Sequence, residues 1–419
     1  MSNYAESIKQ SLFALTSKGI KYDLDRIAAA AVRVGSPQAA YPSIHVAGTN
    51  GKGSTCAFIE SVLRTAGYST GLFTSPHISA LEERFRINGE TVAEKEWVAV
   101  YDEQRASIEA YNLTFFEATM LIGSELFRRR GVEWAVFETG LGGRLDATNI
   151  LKPRVSVITH LAMDHSDLLG NTLAEVAAEK LGIVKESTPL VAAEACDAAV
   201  LRLIDATCRE KRAPCAIIAE RCAAGVESTS AGNIFYRNGI RYATRLSGRF
   251  QVVNALLAVE AIARTGLGID PDIVRRGIAD AYLPGRLQQL DVSGRTVIID
   301  VGHNPDAASA LCAALDERFR GKSMCMVAGI MADKEYPAML ARYAATAGHI
   351  ILTRPKTDRA AVAEDLARHV PEHRRTVVPD VAEAVASALQ RTEDVVCITG
   401  SFYTVGEALA GGLVHLQNT

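Results

Sequence analysis

Long hydrophobic runs are missing from this chain. No apolar stretch approaches the roughly 20 residues that span a bilayer. The first fifteen residues, MSNYAESIKQSLFAL, lack a basic start followed by an apolar core, so they do not read as a signal peptide. A basic block is missing too. The formal net charge of −3 comes from 45 Lys and Arg against 48 Asp and Glu, spread over both halves, which points away from nucleic acid and anionic membranes as partners. The eight cysteines, Cys56, Cys196, Cys208, Cys215, Cys222, Cys312, Cys325 and Cys397, include no C-x-x-C pair. Buried free thiols in a reducing cytoplasm are expected of them, rather than disulfides or zinc ligands.

What is present suits a globular protein of two domains, or three. The length is 419 residues, with 48% hydrophobic and 22% charged. Short apolar β-rich runs alternate with longer helical patterns. Ser43–Ala47, Trp134–Glu138, Val155–His160 and Pro189–Ala193 read as buried strands of a mostly parallel sheet. Ile59, Val62, Leu63 and Ala66 keep a 3.6-residue spacing that predicts a helix over Ser54–Ala66, closed by Gly67. Cys222–Arg245, with Gly, Ser and Asn among scattered β-formers, predicts a small antiparallel excursion. Leu283-Pro284-Gly285 breaks a helical pattern, and a fresh alternation follows it. Strands are expected at Thr296–Asp300, Met324–Gly329, His349–Thr353 and Asp394–Thr399, and a helix at Asp306–Phe319. The fold class is therefore α/β. A phosphate-loop-type, mostly parallel sheet domain over residues 1–284 precedes a hinge linker at 285–295 and a smaller Rossmann-like domain at 296–419. Ligands are expected at the carboxyl ends of the strands and in the cleft between the domains.

The sharpest local signal runs from Ile44 to Thr55. An apolar strand enters a Gly-rich turn, Gly48-Thr49-Asn50-Gly51-Lys52-Gly53, and leaves it as an amphipathic helix. Glycines let backbone N–H groups curl around phosphate oxygens, and the helix N-terminus adds a positive dipole end. Lys52 supplies a point charge, and Ser54 or Thr55 a hydroxyl near a metal. The string departs from G-x-x-x-x-G-K-[ST]: Val46 stands at the first glycine, and Gly53 separates the lysine from the hydroxyl residue.

Further polar groups end neighbouring strands: Thr74-Ser75-Pro76-His77, then Glu138 followed by Gly140–Asn149, then Asp164-His165, then Asp300–Pro305. Each has an ordinary explanation. Ser75 could cap a helix, Glu138 could pair with Arg144, and His165 could be a satisfied histidine. Together they converge on the edge that carries the phosphate loop. A hydroxyl, a carboxylate and an imidazole make a Mg²⁺ set when phosphate oxygens and water fill the remaining positions, although Mg²⁺ prefers oxygen to imidazole. Gly140-Leu141-Gly142-Gly143 lacks the G-x-G-x-x-G spacing of a dinucleotide site.

The loop Gly48–Thr55, the run Gly140–Asn149, Asp164-His165, Glu179-Lys180-x-Gly182-Ile183, Pro284-Gly285-Arg286 and Asp300–Pro305 resemble the folylpolyglutamate synthase/dihydrofolate synthase family, a branch of the Mur ligases. The likeness runs in order from about residue 20 to Thr404, and Gly-Leu-Gly-Gly-Arg-Leu-Asp-Ala-Thr-Asn is its most specific string. The resemblance implies an ATP-dependent ligase. It would add L-glutamate to dihydropteroate and to tetrahydrofolate through an acyl phosphate, using two Mg²⁺ ions, with room for a monovalent cation, as a cytoplasmic monomer. By the same resemblance, Asn50, Gly51, Lys52, Gly53, Ser54, Asn254, Arg286 and Asp300 would bind ATP, and Ser75, Glu138, His165 and a carbamylated Lys180 would hold metal. Thr114, Phe116, Glu117, Leu145, Asp146 and Ala147 would face the pterin or folate, and His303, Ser401 and Tyr403 the incoming glutamate. Lys52, Lys180 and His303 are the catalytic candidates. The helical pattern alone leaves Lys180 a solvated residue.

The chain departs from its relatives at Tyr22-Asp23-Leu24-Asp25-Arg26, where many carry Gly-Leu-Glu-Arg, and at Ser166, where threonine is commoner. Two rivals remain. A Mur-type ligase would use a UDP-linked muramyl acceptor, and a non-catalytic nucleotide switch would bind ATP without stoichiometric phosphate release. Within the family, one or both folate ligations are open.

Overall fold

The structure, a computed structural model, describes residues 2–19, 23–229 and 231–415. Tyr22 lies outside the described residues. The chain divides into two compact units. One is built from Met1–Ala224, Tyr236–Tyr242 and Val253–Ala281, the other from Gly225–Phe235, Ala243–Val252 and Tyr282–Thr419.

The first unit carries an eight-stranded sheet. Its strands are β1 (Ser43–Ala47), β2 (Thr70–Phe73), β3 (Phe85–Ile87), β4 (Glu90–Thr91), β5 (Trp134–Glu138), β6 (Val155–Ile158), β7 (Leu190–Ala193) and β8 (Cys215–Ile218). They lie in the order β4-β3-β2-β5-β1-β6-β7-β8, parallel from β2 to β8, with β3 and β4 antiparallel at one edge. Every residue of β1, β5, β6 and β7 is buried. Helices cover both faces of such a sheet, so its central strands read as continuous apolar runs rather than as alternation. Phe73, Phe85, Phe127 and Phe137 share one core cluster, with Phe127 and Phe137 centroids 5.7 Å apart. Each ring fully withdrawn from water stabilises the unit by about 2–3 kcal/mol.

Register places the site. Val46 pairs with Glu138, Ala47 with Ile158 and Phe73 with Phe137, so β1, β2, β5 and β6 end side by side. The loops that leave them start next to one another. The helix after β1 spans Lys52–Thr65, two residues earlier than its apolar spacing predicts, because Gly51 in the left-handed region (φ 90°) ends the loop at once. Gly67, at φ 93°, closes it as expected.

A three-stranded sheet holds β9 (Ala224–Thr229), β10 (Gly232–Arg237) and β11 (Ile240–Thr244). Asn238 and Gly239, both at positive φ, join β10 to β11 in the two-residue turn that antiparallel neighbours favour. This matches the excursion expected over Cys222–Arg245.

The second unit's sheet has β12 (Gln288–Val292), β13 (Arg295–Ile299), β14 (Met324–Ala328), β15 (His349–Leu352), β16 (Arg375–Val377) and β17 (Val395–Thr399). The order is β12-β13-β17-β14-β15-β16, parallel except for β12. Residues 285–295, expected as a hinge linker, thus contain an edge strand. Ser293 and Gly294, both at positive φ, turn β12 back onto β13. The other expected strands stand within two residues of their observed ends.

Five cysteines are buried as expected, but Cys196, in the loop after β7, Cys215, in the edge strand β8, and Cys222, in a short turn, are exposed. Among the described residues no helix is long and apolar enough to cross a membrane.

Candidate active site

The phosphate loop is held mostly through its own backbone atoms, which meet both backbone and side-chain partners. Thr49 N and Asn50 N both donate to His160 O, at 2.9 and 3.2 Å. Thr159 Oγ1 donates to Asn50 O at 2.8 Å, and Thr49 Oγ1 to Ala162 O at 2.9 Å. The strand end of β6 therefore shapes the turn that leaves β1. Added atoms do not fit: a Cβ at Gly48 would strike the Thr159 hydroxyl, and one at Gly51 would strike Asn254 Oδ1. Asn254, expected among the ATP contacts, is thereby placed against the loop, in the helix Phe250–Arg264. Lys52 opens the helix, its ammonium 3.1 Å from Thr49 O, and Gly53 and Ser54 follow it in the first turn.

Ser75 and Glu138 meet across β2 and β5, where Ser75 N donates to Glu138 Oε2 at 3.0 Å. His165 adopts a left-handed conformation (φ 53°) behind β6. Its N–H donates to Asp164 Oδ1 at 2.9 Å, and its Nε2 lies 3.9 Å from the same oxygen. Arg144, a sequence-level partner for Glu138, instead pairs with Glu179 at 2.8 Å. The reason is the close seat of the Gly140–Asn149 loop on the end of helix Leu173–Leu181, where Arg144 N also donates to Glu179 O at 2.7 Å.

Lys180 is not solvated. It is buried, and its ammonium donates to Gly48 O at 2.9 Å, on the phosphate loop. Burial first, and the Lys52 charge second, pull its pKa from the usual 10.5 to about 7, against the opposing pull of Asp164 and Asp146. A lysine so depressed is in large part a neutral amine at neutral pH, the form that adds to CO₂ to give a carbamate.

These residues fit a nucleotide with divalent cations. The glycine cradle has no room for a side chain, and Thr55 Oγ1 and Thr139 Oγ1 are buried beside it without a protein partner. Among the described residues no three His, Cys, Asp or Glu side chains form a metal group by themselves.

Of the acceptor candidates, Phe116 and Asp146 meet at Gly140. The Phe116 ring lies so close that a Cβ on Gly140 would come within 2.6 Å of it, while Gly140 N donates to Asp146 Oδ2 at 2.9 Å. Ala147 and Asp146 are buried, and Leu145 stands half-buried beside them. Thr114 and Glu117 form a reciprocal helix cap, with Thr114 N donating to Glu117 Oε2 at 2.7 Å. Glu117 Oε1 also takes Arg26 at 3.0 Å, so both of its oxygens are engaged.

In the second unit, Asp300 directly follows β13. It accepts from Leu287 N at 2.9 Å and Gly302 N at 2.8 Å, and burial raises its pKa against the Arg286 charge. Arg286 stacks on Phe402, 5.1 Å from its centroid, and the His303 ring lies 5.8 Å from the same ring. Ser401 Oγ caps the helix Phe402–Ala410 by accepting from Thr404 N at 3.0 Å, and Tyr403 is exposed. Sequence reasoning missed Phe402, which joins Arg286 to His303 and adjoins Ser401, a residue it had marked.

Two family models match the chain: the Mur ligase middle domain over residues 46–262, and the Mur ligase glutamate ligase domain over residues 285–402. A dihydrofolate synthase/folylpolyglutamate synthase of Bacillus subtilis is 33% identical, covering 93% of this chain and 94% of that protein. Among solved structures, Escherichia coli FolC in complex with DHPP and ADP aligns with a TM-score of 0.87 at 31% identity, covering 97% of both chains. The bifunctional folylpolyglutamate synthase/dihydrofolate synthase of Yersinia pestis, complexed with AMPPNP and Mn ion, aligns with a TM-score of 0.85 at 29% identity, covering 98% of both.

Proposed function

Because the chain belongs to the Mur ligase family, in its dihydrofolate synthase/folylpolyglutamate synthase branch, we propose that it adds L-glutamate to dihydropteroate and to tetrahydrofolate at the expense of ATP. The observation that carries the reading is the convergence of the Gly48–Ser54 cradle, the Ser75–Glu138 pair and the buried Lys180 on one sheet edge. The solved relatives that bind nucleotide, DHPP and Mn ion support it.

An amide cannot form from a carboxylate until its oxygen becomes a leaving group. ATP phosphorylates the acceptor carboxylate to an acyl phosphate, and the protein's share is positioning and charge neutralisation. The N–H groups at Gly51–Ser54 bind the β- and γ-phosphates, and Lys52 neutralises the transferring group. Asn50 and Asn254 flank the nucleotide, Asp300 orients it, and Arg286 adds positive charge. Mg²⁺, when bound, would screen the phosphates and withdraw charge from the transferring oxygens. Ser75, Glu138, His165 and carbamylated Lys180 would hold it, and the carbamate gives a carboxylate-like ligand where an ammonium would repel the ion.

His303 orients the glutamate amine or takes its proton, and Ser401 and Tyr403 complete the amino-acid seat. Phe116, Asp146 and their neighbours seat the pterin. Residues 1–284 would carry the phosphate cradle and the acceptor seat, and 296–419 the glutamate seat, joined through 285–295. The enzyme would work in the cytoplasm as a monomer.

The test is product analysis by mass spectrometry after incubation with ATP, Mg²⁺ and glutamate. One glutamyl residue gained by dihydropteroate and one by tetrahydrofolate supports the bifunctional reading. Gain with a single acceptor reduces it to a monofunctional ligase. Gain with neither, but with a UDP-linked muramyl acceptor, replaces it.

A further inference from the structure

A buried polar chain runs from the strand beneath the phosphate loop to the acceptor loop, and the mechanism above does not use it. His45 sits in β1, three residues before Gly48, and is wholly buried. Its Nε2 lies 2.7 Å from Thr148 Oγ1, which lies 2.5 Å from Asp146 Oδ1. Asp146 Oδ1 also accepts from Thr148 N at 2.9 Å, while Oδ2 accepts from Gly140 N at 2.9 Å and Leu141 N at 2.8 Å. An ionised carboxylate offers about four acceptor positions. All four are taken.

Proton counting fixes the direction of the chain. Thr148 has one hydroxyl proton and two neighbours that want it. The carboxylate is the stronger acceptor, and the short contact belongs there. His45 must then carry its own proton on Nε2 and donate it to Thr148 Oγ1. Its Nδ1, buried without a partner, is left as a bare lone pair, a smaller loss than a bare N–H. Burial, with Lys185 second, keeps the ring neutral, so a single tautomer persists.

The loop so held has a place in the site at each end. Gly140 lies under the Phe116 ring, and a Cβ on Gly143 would come 2.8 Å from Lys180 O. If the Asp146 carboxylate turned, the N–H groups of Gly140 and Leu141 would lose their acceptor and the seat beside Phe116 would change shape. An apolar residue at position 45 would suit a buried strand without this polar burial.

We propose that His45 and Thr148 are positioning residues for the acceptor, holding the Asp146 carboxylate and, through it, the Gly140–Thr148 loop in the shape that seats the pterin. The proposal rests on the folate reading above. His45 is a donor in the folded enzyme, Thr148 relays that donation, and neither touches substrate.

The experiment measures KM for dihydropteroate and for ATP in Thr148→Val, Thr148→Ser, His45→Phe and His45→Gln. Glutamine places an amide N–H where Nε2–H stood, and serine keeps the hydroxyl. Loss of the Thr148 bond to the Asp146 carboxylate predicts a rise of about tenfold in KM for dihydropteroate in Thr148→Val, and loss of the neutral His45 bond a rise of about fivefold in His45→Phe. KM for ATP should stay within about twofold, and the double variant should be no worse than the poorer single, because both cut one chain. Thr148→Ser and His45→Gln should recover most of the loss, and they keep the test open if the apolar variants fail to fold. Unchanged KM for dihydropteroate in variants of an active enzyme overturns the proposal alone. A joint rise of both KM values with a lower melting temperature also overturns it, since that marks a merely structural staple. A wild-type enzyme inert towards dihydropteroate overturns the folate reading and the proposal with it.

Discussion

The loops leaving β1 and β5 stand side by side and are held by opposite means. Gly48–Lys52 is held mostly through its own backbone atoms: its amides reach His160 O, its carbonyls accept from Lys180 Nζ and Thr159 Oγ1, and its glycines press against Thr159 and Asn254. Gly140–Asn149 hangs on side chains: Asp146 gathers four donors, Arg144 pairs with Glu179, and Asn149 Nδ2 reaches Arg144 O and Gly182 O at 2.8 and 3.1 Å. A phosphate is recognised by N–H groups that every residue carries, so the first loop needs only a backbone shape. A heterocycle needs a shaped seat, and side chains build it. The first loop should therefore fail when a Cβ is added, and the second when a side chain is removed.

The largest effects should come from the backbone-held loop. Lys52→Ala is expected to lower turnover on the order of a thousandfold with the melting temperature kept, as for loss of a main charge-stabilising donor. Gly51→Ala should match it by a different route, because it adds strain at positive φ and a clash with Asn254 Oδ1. Calorimetry should find ATP binding lost in this variant. Normal nucleotide affinity there would break the contrast between the loops.

Lys180→Ala follows, with a loss of about a hundredfold and partial rescue by short carboxylic acids that mimic the carbamate. The sign of its pH dependence is set by burial. The folded-state pKa of about 7 lies below the ordinary 10.5, so the neutral amine that takes up CO₂ persists above about pH 7 and is lost as pH falls below it. At constant dissolved CO₂, activity and the carbamate signal in carbon NMR should fall together below pH 7. Activity that holds while the signal disappears would remove the carbamate from the account.

Smaller effects should come from the side-chain-held loop. Asp146→Asn replaces one acceptor oxygen with an NH₂ that faces backbone N–H groups. A stability loss of about 2–3 kcal/mol is expected in urea unfolding, with KM for ATP unchanged. Arg144→Ala should cost under about 1 kcal/mol, because its ion pair with Glu179 is largely exposed. A larger loss would show that the loop leans on its rim as well as on Asp146.

Much of this contrast could be read from the chain, and the unread part has one cause. Strand β1, the glycine turn and the helix after it are local, so periodicity and a glycine run reveal them. Lys180 points at Gly48 from 132 positions away, and no helical pattern reports such a contact. Only the family resemblance marked it. The Arg144 partner was misjudged for the same reason: nearness in sequence suggested Glu138, while the fold brings Glu179. Strand β12 hid behind Pro284-Gly285, which reads as a break although the Ser293-Gly294 turn shortly after it marks a hairpin. The relay from His45 left no trace, since a histidine in an apolar run looks like any buried histidine.

On the proposed reading, ATP activates the carboxylate of a folate-type acceptor for attack by glutamate. The most direct measurement uses dihydropteroate whose carboxylate carries heavy oxygen and follows the label by mass spectrometry. An acyl phosphate intermediate predicts one labelled oxygen in inorganic phosphate for each glutamylated product. Phosphate released without label, while the product forms, would contradict it.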